Sequence, residues 1–278
     1  MQPMAGVLYL VGTPIGNLAD LSERARETLA AVDLVAAEDT RRTGRLLSGL
    51  GITVPLVSMF EGNEEHRAAE LVGRLEAGAD VAVVTDGGMP SISDPGYRIV
   101  RLAVDRDIEV RVVPGPSAAV AALVVSAFPT DRFAFEGFLP RRPGDRAARL
   151  RAVREDPRTL VYFESPRRAP ALLHDVLSIL GDRHVALCRE LTKLHEEVRR
   201  GTVREVLEGL GEGELRGEVV LVVEGARDRP SPDPEAMLAE VRRLVEGGMK
   251  PREAARAVAE RHGASANELY RSLLGAGS

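Results

Sequence analysis

The segment DVAVVTDGGMPSISDPG, residues 80–96, joins a run of small apolar residues to a loop of residues that bend or expose the backbone. The apolar run predicts a buried strand, and the helical pattern of residues 95–107 follows the loop. Gly87 and Gly88 let a ligand touch the backbone, because no Cβ blocks its approach. The prolines stiffen the loop, which lowers the entropy lost on binding. The segment therefore predicts a ligand-binding loop at the end of a strand.

The first half of the chain repeats this alternation of apolar runs and helical patterns. Strands are predicted at residues 7–12, 33–39, 54–58, 80–86 and 108–115. Continuous Val-rich strands separated by helices are typical of a parallel sheet that is covered on both faces. We therefore predict an α/β domain over residues 1–116.

The second half predicts a more mixed architecture. Its strands are expected at residues 133–139, 159–165, 184–190, 196–202 and 217–225. The third and fourth of these are joined by a short loop, which favours an antiparallel pair. A second α/β domain is predicted over 117–227, then a Pro- and charge-rich linker at 226–235 and a helical extension over 235–278. The expected fold class is two α/β domains with a cofactor cleft between them, plus a small C-terminal helical extension.

Composition excludes several classes of protein. The chain has 278 residues, of which 28% are charged, and no apolar run reaches the roughly 18 residues that span a bilayer. Cys188 is the single cysteine, so an internal disulfide is excluded and a reducing, cytoplasmic location is expected. Five scattered histidines without cysteine pairs predict no zinc-type metal site.

Charge is unevenly distributed, although the net charge is only −5. Between Arg132 and Arg168 the sequence contains ten arginines and five acidic residues. Such a basic region is a possible binding surface for a polyanion. Candidate phosphate-binding residues are Arg142, Arg146 and Arg149, on one side of a predicted helix, together with Arg41 and Arg42.

Four predicted strands of the first half end in unusual loops. Their sequences are GTPIGN (12–17), AAEDTRR (36–42), TDGGMPSISDPG (85–96) and PGPSA (114–118). Ligands of open parallel sheets bind beyond the carboxyl ends of the strands, so these loops predict one binding edge. The sequence lacks GxGxxG after the first strand and lacks GxxxxGK[ST], which argues against a dinucleotide fingerprint and a P-loop.

Six motifs, in this order and spacing, resemble those of a known protein superfamily. They are GTPIGNLADLS, EDTRRTGRLL, TDGGMPSISDPG, VPGPSA, GFLPRR and FESPRR. Together they resemble the tetrapyrrole-methylase-like superfamily and, within it, the ribosomal RNA small subunit methyltransferase I family. The resemblance implies S-adenosylmethionine in a cleft between two α/β domains, usually in a homodimer. It also implies 2′-O-methylation of a cytidine ribose in the decoding region of 16S rRNA, either free or in the 30S subunit.

The same resemblance implies the residues that contact the cofactor. They are Pro14, Asp86, Gly87, Gly88, Ile92, Ser117, Ala118, Phe163 and Cys188. The first loop departs from the wider superfamily, because GTPIGN stands where tetrapyrrole members carry a GPGD-like loop. This departure favours the RNA branch over a tetrapyrrole methyltransferase of the same fold, and the intact loops argue against a non-catalytic ribosome-binding protein.

A ribose 2′-hydroxyl is a poor nucleophile, so a nearby base would help methyl transfer. Asp39 ends the second predicted strand, and Glu190 and Lys193 lie in RELTK. Lysine is rare here, and a desolvated lysine can lose its proton far more readily than arginine. We hypothesise that Lys193 or Asp39 assists deprotonation, with Glu190 as a further acid. The alternative is that each residue forms a local ion pair or lies in solvent.

The C-terminal segment 248–274 resembles a small helix-turn-helix. Ala254, Ala255, Val258 and Ala259 are predicted to form the packed face of its first helix. The second helix contains only Arg271 as a basic residue, so groove reading is disfavoured. We predict a helper contact to RNA, or simple packing.

Overall fold

The structure is a computed structural model that describes residues 5–211, 215–226, 234–262 and 264–275. The chain forms two compact units, Met1–Gly225 and Ala226–Ser278. The predicted linker at 226–235 lies mostly outside the described residues.

A five-stranded parallel sheet organises the first half of the larger unit. Its strands are β1 (Leu8–Val11), β2 (Leu34–Ala37), β3 (Leu56–Ser58), β4 (Val81–Val84) and β5 (Val110–Val113). The strand order is β3-β2-β4-β1-β5, and every pairing is parallel, as predicted. Because all strands run in the same direction, the loops that follow β1, β2, β4 and β5 share one edge of the sheet.

Two pairs of helices cover this sheet. They are α1 (Glu23–Ala31), α2 (Thr40–Gly49), α3 (Glu64–Glu76) and α4 (Tyr97–Val104). Leu29 and Leu47 pack α1 and α2 against one face, and Leu71 and Ile99 pack α3 and α4 against the other. A short 3-10 helix, Leu18–Asp20, precedes α1. Both faces of the sheet are thus buried, which explains why β2 and β4 are apolar throughout.

A mixed five-stranded sheet follows, as predicted. Its strands are β6 (Phe133–Phe138), β7 (Thr159–Glu164), β8 (His184–Arg189), β9 (Glu197–Thr202) and β10 (Val219–Val223). The order is β6-β7-β10-β8-β9, and only β6 and β7 run parallel. Since β10 runs antiparallel to β7, Val219 at its start pairs with Glu164 at the end of β7.

The helices of the second sheet divide unequally between its faces. They are α5 (Ala118–Ser126), α6 (Pro143–Ala152), α7 (Ala169–Ile179) and α8 (Val203–Gly209). The uniformly apolar α5 packs on one face through Ala122 and Leu123. The other three cover the opposite face, where Tyr162 is fully buried. Thr202 and Glu205 form a capping box at the start of α8.

The smaller unit contains three helices with their own core. They are α9 (Pro234–Glu246), α10 (Pro251–His262) and α11 (Ala266–Gly275). Val241, Val258 and Leu269 pack together at its centre, and the four residues predicted to form the packed face of α10 are all buried. The Arg252 guanidinium lies over the Tyr270 ring, 5.2 Å from its centroid. Across the described ranges, no helix has the length and apolar character needed to cross a membrane.

Candidate functional site

A cleft of about 400 Å³ lies in the larger unit, between the loops of the two sheets. The loops of the first sheet supply one wall, which includes Ile15, Asp86, Gly87 and Ser117. The second sheet supplies the opposite wall through Phe138, Phe163 and the segments 164–166 and 217–220. The volume of the cleft falls in the range typical of sites for whole organic ligands.

Close backbone contacts join the loops of the first sheet. Thr13 and Gly88 exchange two backbone hydrogen bonds of 2.9 and 3.0 Å. Gly12 lies against Gly115, and a Cβ at Gly12 would stand 2.6 Å from the Gly115 backbone and 2.7 Å from the Met89 sulfur. Such distances are too short for any side chain, so glycine is required where these loops meet.

The loop at 85–96 holds an unusual backbone conformation. Ser91 and Ser93 have positive φ angles of 72° and 61°, and Gly96 has φ of 135°. The buried Glu64 carboxylate at the start of α3 accepts hydrogen bonds from the Gly96 and Arg98 N–H groups, at 2.9 and 3.1 Å. This carboxylate takes the place of a side-chain cap for α4 and fixes the end of the loop.

Apolar side chains are unusually exposed in the cleft. Ile92 and Phe138 are 45% and 57% exposed, and both line it. Phe138 packs edge-on against Phe163 with 5.6 Å between ring centroids. Val219 and Val220 continue this surface from the start of β10. Uncovered apolar groups beside polar ones indicate a surface that a ligand covers.

Three neighbouring carboxylates, those of Glu38, Asp86 and Asp94, also line the cleft. Burial raises the pKa of Glu38, whose Oε2 accepts a 3.2 Å hydrogen bond from the Asp86 N–H. Burial also raises the pKa of Asp94 to about 7, helped by the nearby carboxylates of Glu38 and Asp86 and opposed by the Thr85 hydroxyl. A cation in the cleft would relieve this repulsion.

Most other charged groups of the cleft are already paired. Asp86 Oδ2 lies 3.2 Å from Arg42 Nη1, and Glu164 Oε2 lies 3.1 Å from Arg168 Nη2. The Oε2 atom of Glu218 lies 3.2 Å from the Lys193 Nζ. Glu38 and Asp94 have no such ion pair within the described chain. Among the residues that the structure describes, no group of three or more His, Cys, Asp or Glu residues is arranged to hold a metal ion.

Most of the residues predicted to contact a cofactor lie together. Those that line the cleft are Asp86, Gly87, Gly88, Ile92, Ser117, Ala118 and Phe163. Pro14 lines a smaller neighbouring cavity instead. Cys188 does not line the cleft: it is fully buried beneath α5, where burial raises its thiol pKa to about 12.

The structure separates Asp39 from the cleft wall. Its carboxylate caps α2 by accepting the Arg41 N–H at 2.9 Å and pairs with the Arg41 guanidinium at 2.8 Å. These hydrogen bonds hold the Asp39 pKa far below its usual range. Asp39 therefore takes the local ion-pair role of the alternative interpretation and is a poor base.

Lys193 and Glu190 form one ion pair at the edge of the second sheet. The Lys193 Nζ lies 2.8 Å from Glu190 Oε1, and this pairing lowers the Glu190 pKa. Partial burial opposes protonation of Lys193, but its two carboxylate partners prevail and raise its pKa. The raised pKa favours the protonated form of Lys193 over the neutral amine of the hypothesis. A Cβ at Gly16 would lie 2.4 Å from the Lys193 side chain, so this pair touches the first loop.

The predicted phosphate-binding arginines have different environments. Arg41 is highly exposed, and Arg42 lines the cleft. Arg142 is exposed at the start of α6, and Arg149 pairs with Glu136 at 2.8 Å. Arg146 is only 8% exposed and forms an ion pair with Asp175 of α7. Arg142, Arg146 and Arg149 thus do not form one free face, because Arg146 is used in packing.

Sequence reasoning missed part of the cleft. The motifs GFLPRR and FESPRR contain Phe138 and residues 164–166, although none of these was among the predicted cofactor contacts, and nothing marked the segment 217–220. The rule that ligands bind at carboxyl ends fails for β10, because this antiparallel strand presents its amino end to the cleft. Knowledge of that strand's direction would have identified the segment.

Comparison with known proteins relates this architecture to methyltransferases. The sequence profile of the Tetrapyrrole (Corrin/Porphyrin) Methylases matches residues 7–207. The solved structure of uroporphyrin-III-C-methyltransferase from Thermus thermophilus aligns with a TM-score of 0.55 and 27% identity, covering 79% of this chain and 94% of that one. Diphthine synthase aligns with a TM-score of 0.59 over 78% of this chain and 89% of its own, and its 14% identity supports the shared fold alone.

Two curated relatives cover nearly the whole chain. The ribosomal RNA small subunit methyltransferase I of Escherichia coli O157:H7 is 43% identical, over 97% of this chain and 95% of the relative. The protein of that name from Synechocystis sp. is also 43% identical, over 97% of this chain and 98% of the relative. The chain therefore belongs to the Tetrapyrrole (Corrin/Porphyrin) Methylases and, within them, to the ribosomal RNA small subunit methyltransferase I family.

Proposed function

We propose that this chain uses S-adenosylmethionine to methylate 16S rRNA, at the 2′-hydroxyl of a cytidine in the decoding region. The observation that carries the proposal is the cleft, which combines exposed apolar side chains with two carboxylates, Glu38 and Asp94, that have no ion pair among the described residues. The names of the full-length relatives support ribosomal RNA of the small subunit as the substrate. By the same reasoning we expect a homodimer that works in the cytoplasm.

The groups that line the cleft fit this cofactor. Phe138, Phe163 and Ile92 offer an apolar surface for the adenine ring. Glu38 and Asp94 offer negative charge to the cationic end of the cofactor. Gly87 presents backbone without a side chain. When bound, S-adenosylmethionine supplies an electrophilic methyl group that needs no further activation by the protein.

The contribution of the chain is alignment rather than strong base catalysis. The lowered pKa of Asp39 and the raised pKa of Lys193 favour the ionised form of each side chain, so neither is proposed as the base. The glycine contacts and the Glu64 anchor instead hold the loops rigid. Rigid positioning of two reacting groups can supply about 7–11 kcal/mol of a barrier. In this proposal Lys193 and Glu190 position the first loop.

The direct test combines cofactor binding with methyl transfer. Calorimetry should detect stoichiometric binding of S-adenosylmethionine to the purified chain. Radiolabelled cofactor should then methylate 30S subunits or free 16S rRNA lacking the modification, and mapping of the RNA should locate one 2′-O-methylcytidine.

A tetrapyrrole serves as the comparison substrate, because the fold also supports methylation of such molecules. A precorrin carries many carboxylates, which the carboxylates of this cleft would repel. We expect no turnover of the precorrin. Methylation of the precorrin and not of RNA would overturn the proposal, as would the absence of any cofactor binding.

A further inference from the structure

A second, smaller cavity of about 130 Å³ adjoins the cleft; we call it the side cavity. Arg42 and Asp86 line both the main cleft and the side cavity. Their 3.2 Å ion pair therefore belongs to the lining of both. The other residues that line the side cavity are Thr13, Pro14, Leu18, Thr43, Leu46 and Thr85. A group held in the side cavity would therefore lie next to a ligand of the main cleft.

The size of the side cavity limits its occupant. It has about a third of the volume of the main cleft, which is about 400 Å³. Whole organic ligands usually occupy roughly 300–1,000 Å³, so the side cavity suits a fragment such as a single ring.

The lining of the side cavity suits a flat ring with polar edges. Leu18 and Leu46 supply apolar surface, and threonines supply hydroxyl groups. Thr85 is only 3% exposed, and its hydroxyl lies close to the Asp94 carboxylate without a hydrogen bond of good geometry. A hydroxyl can donate one hydrogen bond and accept two, so this one can serve a ligand edge as well as Asp94. An unstacked nucleobase presents both the apolar faces and the polar edge that this lining requires.

Charge beside the side cavity favours a nucleic acid. Helix α2, which supplies Thr43 and Leu46, contains three arginines and no acidic residue. Arg41 and Arg45 of this helix are exposed to solvent, although the Arg41 guanidinium also pairs with the Asp39 carboxylate. Phosphates on either side of a bound nucleotide would meet this positive surface, which a neutral small molecule would not need.

We propose that the side cavity holds one unstacked pyrimidine nucleotide of the substrate RNA, with its ribose toward the Arg42–Asp86 pair. The smaller single-ring base matches the limited volume, and α2 holds the flanking phosphates. This assignment rests on the proposed function and adds to it the place where the acceptor nucleotide is bound.

A change at Leu46 tests the assignment, because this half-buried side chain lines the side cavity and not the main cleft. Leu46→Trp would fill the space, and we expect kcat/KM on 30S subunits or 16S rRNA to fall by about tenfold or more. The dissociation constant for S-adenosylmethionine should stay within about twofold of the unaltered chain, since Leu46 does not line the main cleft. Ser48→Trp, on the exposed side of the same helix, is the matched control and should retain kcat/KM.

Equal losses in Leu46→Trp and Ser48→Trp, or no loss in either, would overturn the assignment. The result is separable from the proposed function, which fails only if the unaltered chain binds no S-adenosylmethionine or methylates no RNA.

Binding can also be observed without catalysis. The chain, saturated with S-adenosylhomocysteine so that the main cleft is filled, is labelled at its Leu, Ile and Thr methyl groups. Cytidine 5′-monophosphate should then shift the resonances of Thr43, Leu46 and Thr85 and leave that of Ile92 unchanged. Guanosine 5′-monophosphate should cause smaller shifts at the same concentration. Shifts that are equal for both nucleotides, or that spare Leu46, would contradict the assignment.

Discussion

The absence of a side chain at Gly12 allows two loops of the cleft to pack closely against each other. Its backbone lies against Gly115 so closely that a methyl group would meet that backbone at 2.6 Å. Gly12→Ala should therefore separate the loops after β1 and β5 and destabilise the fold by about 1–3 kcal/mol, as overpacking usually does. Urea unfolding measures the loss, and calorimetry should show weaker binding of S-adenosylmethionine.

Gly73 offers the matched control for this change. It lies within α3, where an added methyl group would meet nothing within 4 Å. Gly73→Ala should stabilise the chain by about 0.5–1 kcal/mol, because alanine is the better helix former. A Gly12→Ala protein as stable as Gly73→Ala would refute the role assigned to the glycine contact.

Asp94 should make cofactor affinity depend on pH. Burial raises its pKa to about 7, so the carboxyl is largely protonated at pH 6. A bound cation favours the ionised form, so binding releases a proton and becomes tighter as pH rises, by up to about tenfold per unit below the pKa. Above that pKa the dependence should level off. Calorimetry between pH 5.5 and 8.5 measures this profile.

Asp94→Asn should flatten the profile, because the amide carries no titrating proton. Asp39→Asn is the control: its pKa lies far below this range and it does not line the cleft, so the slope should persist. If the Asp94→Asn protein kept the slope of the unaltered chain, the pH dependence would have another origin.

At the scale of elements, the join between α3 and α4 depends on Glu64. Its carboxylate accepts two N–H groups from the start of α4 and so ends the loop at 85–96. Glu64→Ala should cost about 1–3 kcal/mol of unfolding free energy, because it leaves buried donors unsatisfied. Its neighbour Glu65 makes only an exposed ion pair with Arg98, so Glu65→Ala should change stability by less than about 1 kcal/mol. Chemical denaturation measures the unfolding free energy of both variants. Equal losses of stability in the two would contradict the role assigned to Glu64.

At the scale of the whole molecule, the two compact units predict a clean truncation. Residues 1–226 retain both sheets and the complete lining of the cleft. We expect this fragment to fold and to bind S-adenosylmethionine within about twofold of the full chain, since α9–α11 have a separate core. Its affinity for RNA should fall, which filter binding would measure. An unchanged RNA affinity would leave the smaller unit without a role in substrate binding.

The sequence predicted the secondary structure well because its signals are local. Val-rich runs such as Val81–Val84 depend on neighbouring residues, and this strand occurs as predicted. The environments of charged groups depend on distant partners. Arg146 is buried by Asp175, and Lys193 is held protonated partly by Glu218, and neither partner is close in sequence. Pairings of this kind, like the strand order, follow from tertiary packing that periodicity does not encode.

The antiparallel course of β10 has a consequence for biosynthesis. The cleft needs Ile15 from the first loop and Val220 from the last strand, so its two walls are made far apart in time on the ribosome. A nascent chain that has completed the first sheet still lacks the second wall. On the proposed function, S-adenosylmethionine would therefore bind only late in synthesis, after the last strand of the larger unit has been made.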